Sequence, residues 1–106
     1  MNKMGKTKIL HKDYYEGILQ LRNPSEEVIR CVKNQIKKKG DVFIAKEVTQ
    51  KNGVDYYISS QRFLLSLGRK LKKSFRGELK TSRKLYTRDR ITSKRVYRVT
   101  VLFRLT

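Results

Sequence analysis

Two stretches carry an apolar residue at every third or fourth position, five carry one at every second, and an Asn-Gly pair joins the second and third of those five. Read in order, the pattern is β-α-β-β-α-β-β. It predicts an α+β domain in which two helices lie on one face of a mainly antiparallel sheet, a split βαβ-like arrangement with an extra C-terminal strand. With 106 residues, the chain has material for one modest core. Residues 1–12 read as a flexible basic leader, and residues 13–106 as a single α+β domain.

Each element has its own warrant. Tyr14 to Arg22 sets Tyr15, Gly17, Leu19 and Leu21 on one alternating register with Ile18 on the other, as in a largely buried strand. Asn23 is the expected N-cap of the first helix, with Pro24 at its first position and Glu26 and Glu27 near the positive end of the dipole. That helix runs to about Lys39, burying Val28, Ile29, Val32 and Ile36, and Gly40 ends it. Val42–Thr49 and Val54–Ser59 are rich in β-formers and flank Lys51-Asn52-Gly53, which predicts a hairpin with a type I′ turn.

Ser59 or Ser60 caps a second helix running to about Arg76, with Gly77 beyond it in a left-handed conformation. Leu64, Leu67, Leu71 and Phe75 fall within an arc of roughly 80°, and Arg62, Arg69, Lys73 and Arg76 cluster opposite them within roughly 60°. Leu79–Tyr86 forms a further strand and Thr87–Lys94 a polar connection. Val96–Leu105 is the last strand, with Tyr97, Val99, Val101, Phe103 and Leu105 on one register.

Charge supplies the main functional signal. Twenty-seven lysines and arginines against nine acidic residues give a net charge of +18. From Ser60 onward, fifteen cations face only Glu78 and Asp89, a net of +13, whereas residues 1–59 carry a net of +5. Self-repulsion at this density opposes compaction unless a polyanion neutralises it, which points to nucleic acid. Arg69 with Lys73 and Lys72 with Arg76 are like-charged i,i+4 pairs, the reverse of the mixed signs of an ordinary solvated helix face. The segment from Lys80 to Arg95 interleaves Arg83, Lys84, Arg88, Arg90 and Lys94 with Tyr86 and several hydroxyls, a mixture suited to phosphate pairing with a stacked base or ribose. The expected RNA-binding residues are therefore Arg62, Arg69, Lys73, Arg76, Lys80, Arg83, Lys84, Tyr86, Arg88, Arg90, Lys94 and Arg95.

Other chemistries lack their parts. Cys31 is the only cysteine and His11 the only histidine, so an internal disulfide, a cysteine-rich zinc site and a histidine-dependent triad have no residues to draw on. Cys31 reads as a small apolar residue on the flank of the first helix. Gly5-Lys6-Thr7 lacks the remaining glycine and the preceding strand of a phosphate-binding loop. Tyr14, Tyr56 and Tyr57 have no RNA-recognition-motif signature around them and are expected to pack in the core or the hairpin. Neither a secretory signal nor an apolar run of membrane-spanning length is present, and a cytoplasmic, monomeric, non-enzymatic protein without cofactor or metal is expected.

Four segments also share a family likeness. Gly53-Val54-Asp55-Tyr56-Tyr57-Ile58-Ser59-Ser60 resembles the glycine, aspartate, two-aromatic, double-serine signature of the large-ribosomal-subunit export adaptor family, nonsense-mediated decay protein three. Tyr15 to Arg22 resembles that family's aromatic strand ending in Gln-x-Arg. Lys80-Thr81-Ser82-Arg83-Lys84-Leu85 resembles its Lys-x-Ser-x-x-Leu strand, and Tyr97-Arg98-Val99-Thr100 its final Tyr-x-x-Thr strand. The likeness spans about Tyr14 to Leu105, an internal domain without the family's Cys-x-x-Cys zinc modules. It implies a role on the large subunit, in assembly or quality control, with ribosomal RNA and large-subunit ribosomal proteins as partners. The alternative is a protein-interaction adaptor that grips a ribosomal protein through the hairpin edge or an aromatic face.

Overall fold

A computed structural model describes residues 14–88 and 95–106, with side chains throughout except at 85–88 and 95–96. The expected leader, residues 1–12, lies outside the described residues. The elements are β1 (Gly17–Arg22), α1 (Glu26–Lys39), β2 (Ile44–Gln50), β3 (Gly53–Ile58), α2 (Gln61–Ser74), β4 (Gly77–Arg88) and β5 (Arg95–Leu105). This is the expected α+β order.

The five strands form one sheet in the order β2-β3-β1-β5-β4. β1 runs antiparallel to β3 and parallel to β5, and the other neighbours are antiparallel. Helix α1 carries the chain over to β2, and the hairpin returns β3 into the slot beside β1, which makes the split βαβ. The extra strand is inserted rather than appended: β4 takes the outer edge, and β5 turns back between it and β1. Leu19 thus pairs with Tyr56 on one side and Val101 on the other.

Alternation divides each strand between two faces. Leu19, Leu21, Tyr56, Ile58, Val99, Val101 and Phe103 point to the helix side and are buried. Val28, Val32 and Ile36 of α1 and Leu64, Leu67 and Leu71 of α2 close over them. Each fully buried Leu or Val contributes about 1.5–3 kcal/mol of transfer free energy, so this single layer holds the fold. No described element covers the opposite face of the sheet.

Four local details differ from expectation. The N-cap of α1 is Ser25, whose Oγ accepts the Val28 N–H at 3.3 Å. Asn23 instead adopts φ 54°, with its backbone N–H on the Asn52 carbonyl and its side-chain amide on the Leu105 carbonyl. The β2–β3 hairpin forms, but among the described residues positive φ occurs only at Asn23 and Gly40, so the Asn-Gly pair is not in type I′ geometry. Gly53 opens β3, where a Cβ would stand 1.8 Å from the Leu21 carbonyl oxygen. Helix α2 stops at Ser74, and the extended Phe75 follows it. Gly77 begins β4, beside the Arg104 carbonyl, rather than terminating the helix.

Candidate nucleic-acid interface

The start of α2 is doubly capped. Ser60 Oγ accepts the Phe63 N–H at 3.2 Å, and Glu16 Oε1 accepts the Gln61 N–H at 2.8 Å, which satisfies two amides that a helix start leaves orphaned. From there α2 carries no acidic residue. Its apolar stripe is spent on the sheet, which leaves Arg62, Arg69 and Lys73 exposed on the outer side. Arg76, expected on the same stripe, is also exposed but lies past the last helical turn, so helical spacing does not align it with the other three.

The N-terminal half of α2 lies beside the C-terminal end of α1, and a groove between them is lined by Lys38, Lys39, Arg62 and Arg69 along with Glu16 and Asp41. Glu16 is engaged with the α2 amide, and Asp41 stands 3.9 Å from Lys39. The helix layer therefore presents a cationic groove continuous with the α2 stripe.

Strand β4 divides the remaining expected residues. Its register with β5 pairs Arg83 with Val99, on the helix side, and Lys80 and Lys84 with Leu102 and Arg98, on the uncovered side. The Arg83 guanidinium lies 4.8 Å from the centroid of the Tyr97 ring. The side chains of Tyr86, Arg88 and Arg95, and Arg90 and Lys94 entirely, lie outside the described residues. The stripe on α2 and the lysines of β4 therefore belong to opposite faces of the sheet.

The uncovered face holds a cluster that the sequence reading missed. Tyr57 meets Tyr15 edge to face, with ring centroids 4.8 Å apart at 85°. Lys46 Nζ is 5.4 Å from the Tyr57 centroid, and the Arg98 guanidinium is 3.9 Å from that of Tyr15 while donating to its hydroxyl at 3.0 Å. Of the three tyrosines expected in the core or hairpin, only Tyr56 is in the core; Tyr14 is exposed and Tyr57 faces outward. The signal was available in the alternation, since Tyr57 stands on the register opposite Tyr56 and Ile58.

Burial raises the Tyr56 phenol above its ordinary pKa, and the Glu47 carboxylate adds to this. Tyr14 is half exposed, and desolvation of its covered part, followed by its hydrogen bond to Glu16, raises its phenol to about 12. Among the described residues the ion pairs are Arg22–Asp55, Lys39–Asp41 and Arg104–Glu78. Those three pairs leave most of the described cations of α2 and β4 outside an ion pair.

The fold and these surfaces define a small, strongly cationic α+β domain with one buried layer and two charged faces. The family model described as NMD3, second domain, matches residues 14–105. The chain belongs to that family, and membership implies a ribosome-related role associated with the large subunit. It is a family of ribosome export adaptors and not a known enzyme family. No curated protein matches the chain. Among the described residues no helix is long and apolar enough to cross a membrane.

Proposed function

We propose that this chain is a single, non-enzymatic domain that binds large-subunit ribosomal RNA during assembly or quality control of the particle, working as a cytoplasmic monomer. The observation that carries the reading is α2, an exposed cationic helix face with no acidic residue in its own sequence. Phosphates are the groups such a face recognises without reading sequence. The groove with α1 widens the same surface by Lys38 and Lys39. Arg69→Glu with Lys73→Glu is expected to weaken binding to large-subunit RNA while leaving the thermal midpoint nearly unchanged, since exposed positions alter stability little. Unchanged RNA affinity in that variant refutes the assignment.

A second reading has its own support. β2 is an edge of the sheet, so one side of its backbone is open to strand addition by a ribosomal protein. Crosslinking to intact subunits separates the two. Products on RNA that vanish with the α2 reversals favour the first reading, and products on protein that survive them favour the adaptor.

A further inference from the structure

The surface left over once the α2 reading is granted is the uncovered face of the sheet. Its centre is apolar and half-buried, built from Ile18, Tyr57 and Leu102. Among the described residues its carboxylates are Asp55, bonded to Arg22 at 2.7 Å, and, at one end, the exposed Glu78, 3.9 Å from Arg104. Toward the other end stand Lys46 on β2 and Lys84 on β4, while Lys80 on β4 lies in the cross-sheet row of Leu102, Gln20 and Asp55; all three lysines are exposed and in none of the ion pairs among the described residues. β2 and β4 are the two outer strands of five, so at about 4.8 Å per strand these lysines flank a platform about 19 Å wide.

We propose that this face is a second nucleic-acid site, specific for single-stranded RNA, separate from the phosphate-binding helix face. A duplex offers phosphate rails with its base faces stacked inside, and so has nothing to lay on Ile18, Tyr57 and Leu102. An unpaired strand offers both, base faces for the apolar centre and phosphates for the flanking lysines. The aromatic cluster also fixes the geometry in advance. Tyr15 braces Tyr57 edge-on, and Arg98 lies over Tyr15, so the platform has little side-chain freedom to lose on binding. With α2 on the other side of the sheet, one domain holds a paired and an unpaired segment at once.

This inference rests on the RNA reading above, and the test distinguishes the two. Fluorescence anisotropy is measured on the whole chain with two probes, an oligouridylate of about twelve nucleotides and an RNA duplex of about 16 base pairs. Lys80→Glu with Lys84→Glu is expected to weaken oligouridylate binding about tenfold and duplex binding less than about twofold, and Arg69→Glu with Lys73→Glu to do the reverse. Tyr57→Leu, which keeps an apolar side chain but removes the ring, is expected to weaken only the oligouridylate, about fivefold, as loss of stacking does. Equal weakening of both probes by either pair overturns the inference, because it reports bulk charge rather than two sites. Duplex binding without oligouridylate binding overturns it while sparing the α2 reading, and binding of neither probe overturns both. Displacement of the oligouridylate by polyglutamate at equal charge concentration assigns the face to an acidic protein segment instead.

Discussion

Arg22 Nη1 stands 2.7 Å from Asp55 Oδ1, joining diagonal neighbours on the antiparallel β1–β3 pair, with both side chains largely buried. Gln50 Nε2 donates to the other carboxylate oxygen at 3.1 Å, which ties β2 to the same network. Three strands thus meet at one carboxylate. Removing it leaves a largely buried guanidinium without its countercharge, and Asp55→Ala is expected to cost about 3 kcal/mol, the low end for breaking a buried pair. Replacing both partners, as Arg22→Met with Asp55→Leu, is expected to recover most of that loss. Urea unfolding of the two variants checks both values, and a single variant within about 0.5 kcal/mol of wild type refutes the structural role.

Two glycines are required for different reasons. Gly53 has β1 against it, where a Cβ meets the Leu21 carbonyl at 1.8 Å, and no rotamer change relieves a clash with backbone. Gly53→Ala is expected to destabilise by about 3 kcal/mol, the upper end for overpacking. Gly40 has open space around it but φ 85° with ψ −40°, outside the left-handed helical basin, so Gly40→Ala carries only a backbone cost, of about 2 kcal/mol. Thermal melts should rank Gly53→Ala below Gly40→Ala, and the opposite order contradicts the strand assignment at Gly53.

Much of this architecture was legible in the chain. The two apolar helix stripes, the hairpin, the Ser60 cap and the inward register of β5 all follow from local spacing. What escaped is set by contacts distant in sequence. Asn23 and Ser25 are both good caps flanking a proline, and the bonds from Asn23 to Asn52 and Leu105 decide between them. Insertion of β5 beside β1 depends on pairing that no local pattern encodes.

The candidate site was half legible for the same reason. The cations of α2 could be grouped by helical period, but Lys80 and Lys84 part from Arg83 once strand alternation is applied. The residues that carry the family likeness, moreover, largely report the scaffold. Asp55 binds Arg22, Ser59 Oγ accepts the Phe43 N–H at 3.0 Å, and Ser60 caps α2.

Alkaline pH probes the core through Tyr56. Its phenol is buried and its pKa lies above the ordinary value, so the folded state keeps a proton that the unfolded chain releases near pH 10. The stability this confers is fully present below about pH 10 and is lost as pH rises through the raised pKa. Tyr56→Phe, which cannot ionise, is expected to lose less stability than wild type over that range. Equal losses in paired denaturation curves on either side of pH 10 show that Tyr56 titrates as it does in the unfolded chain.

The salt dependence of binding to large-subunit RNA tests the central claim most directly. Six to ten phosphate contacts lower the affinity by about 10³ to 10⁵ between about 50 and 200 mM salt, and the account predicts a loss of that order. An affinity that stays flat across this range contradicts it.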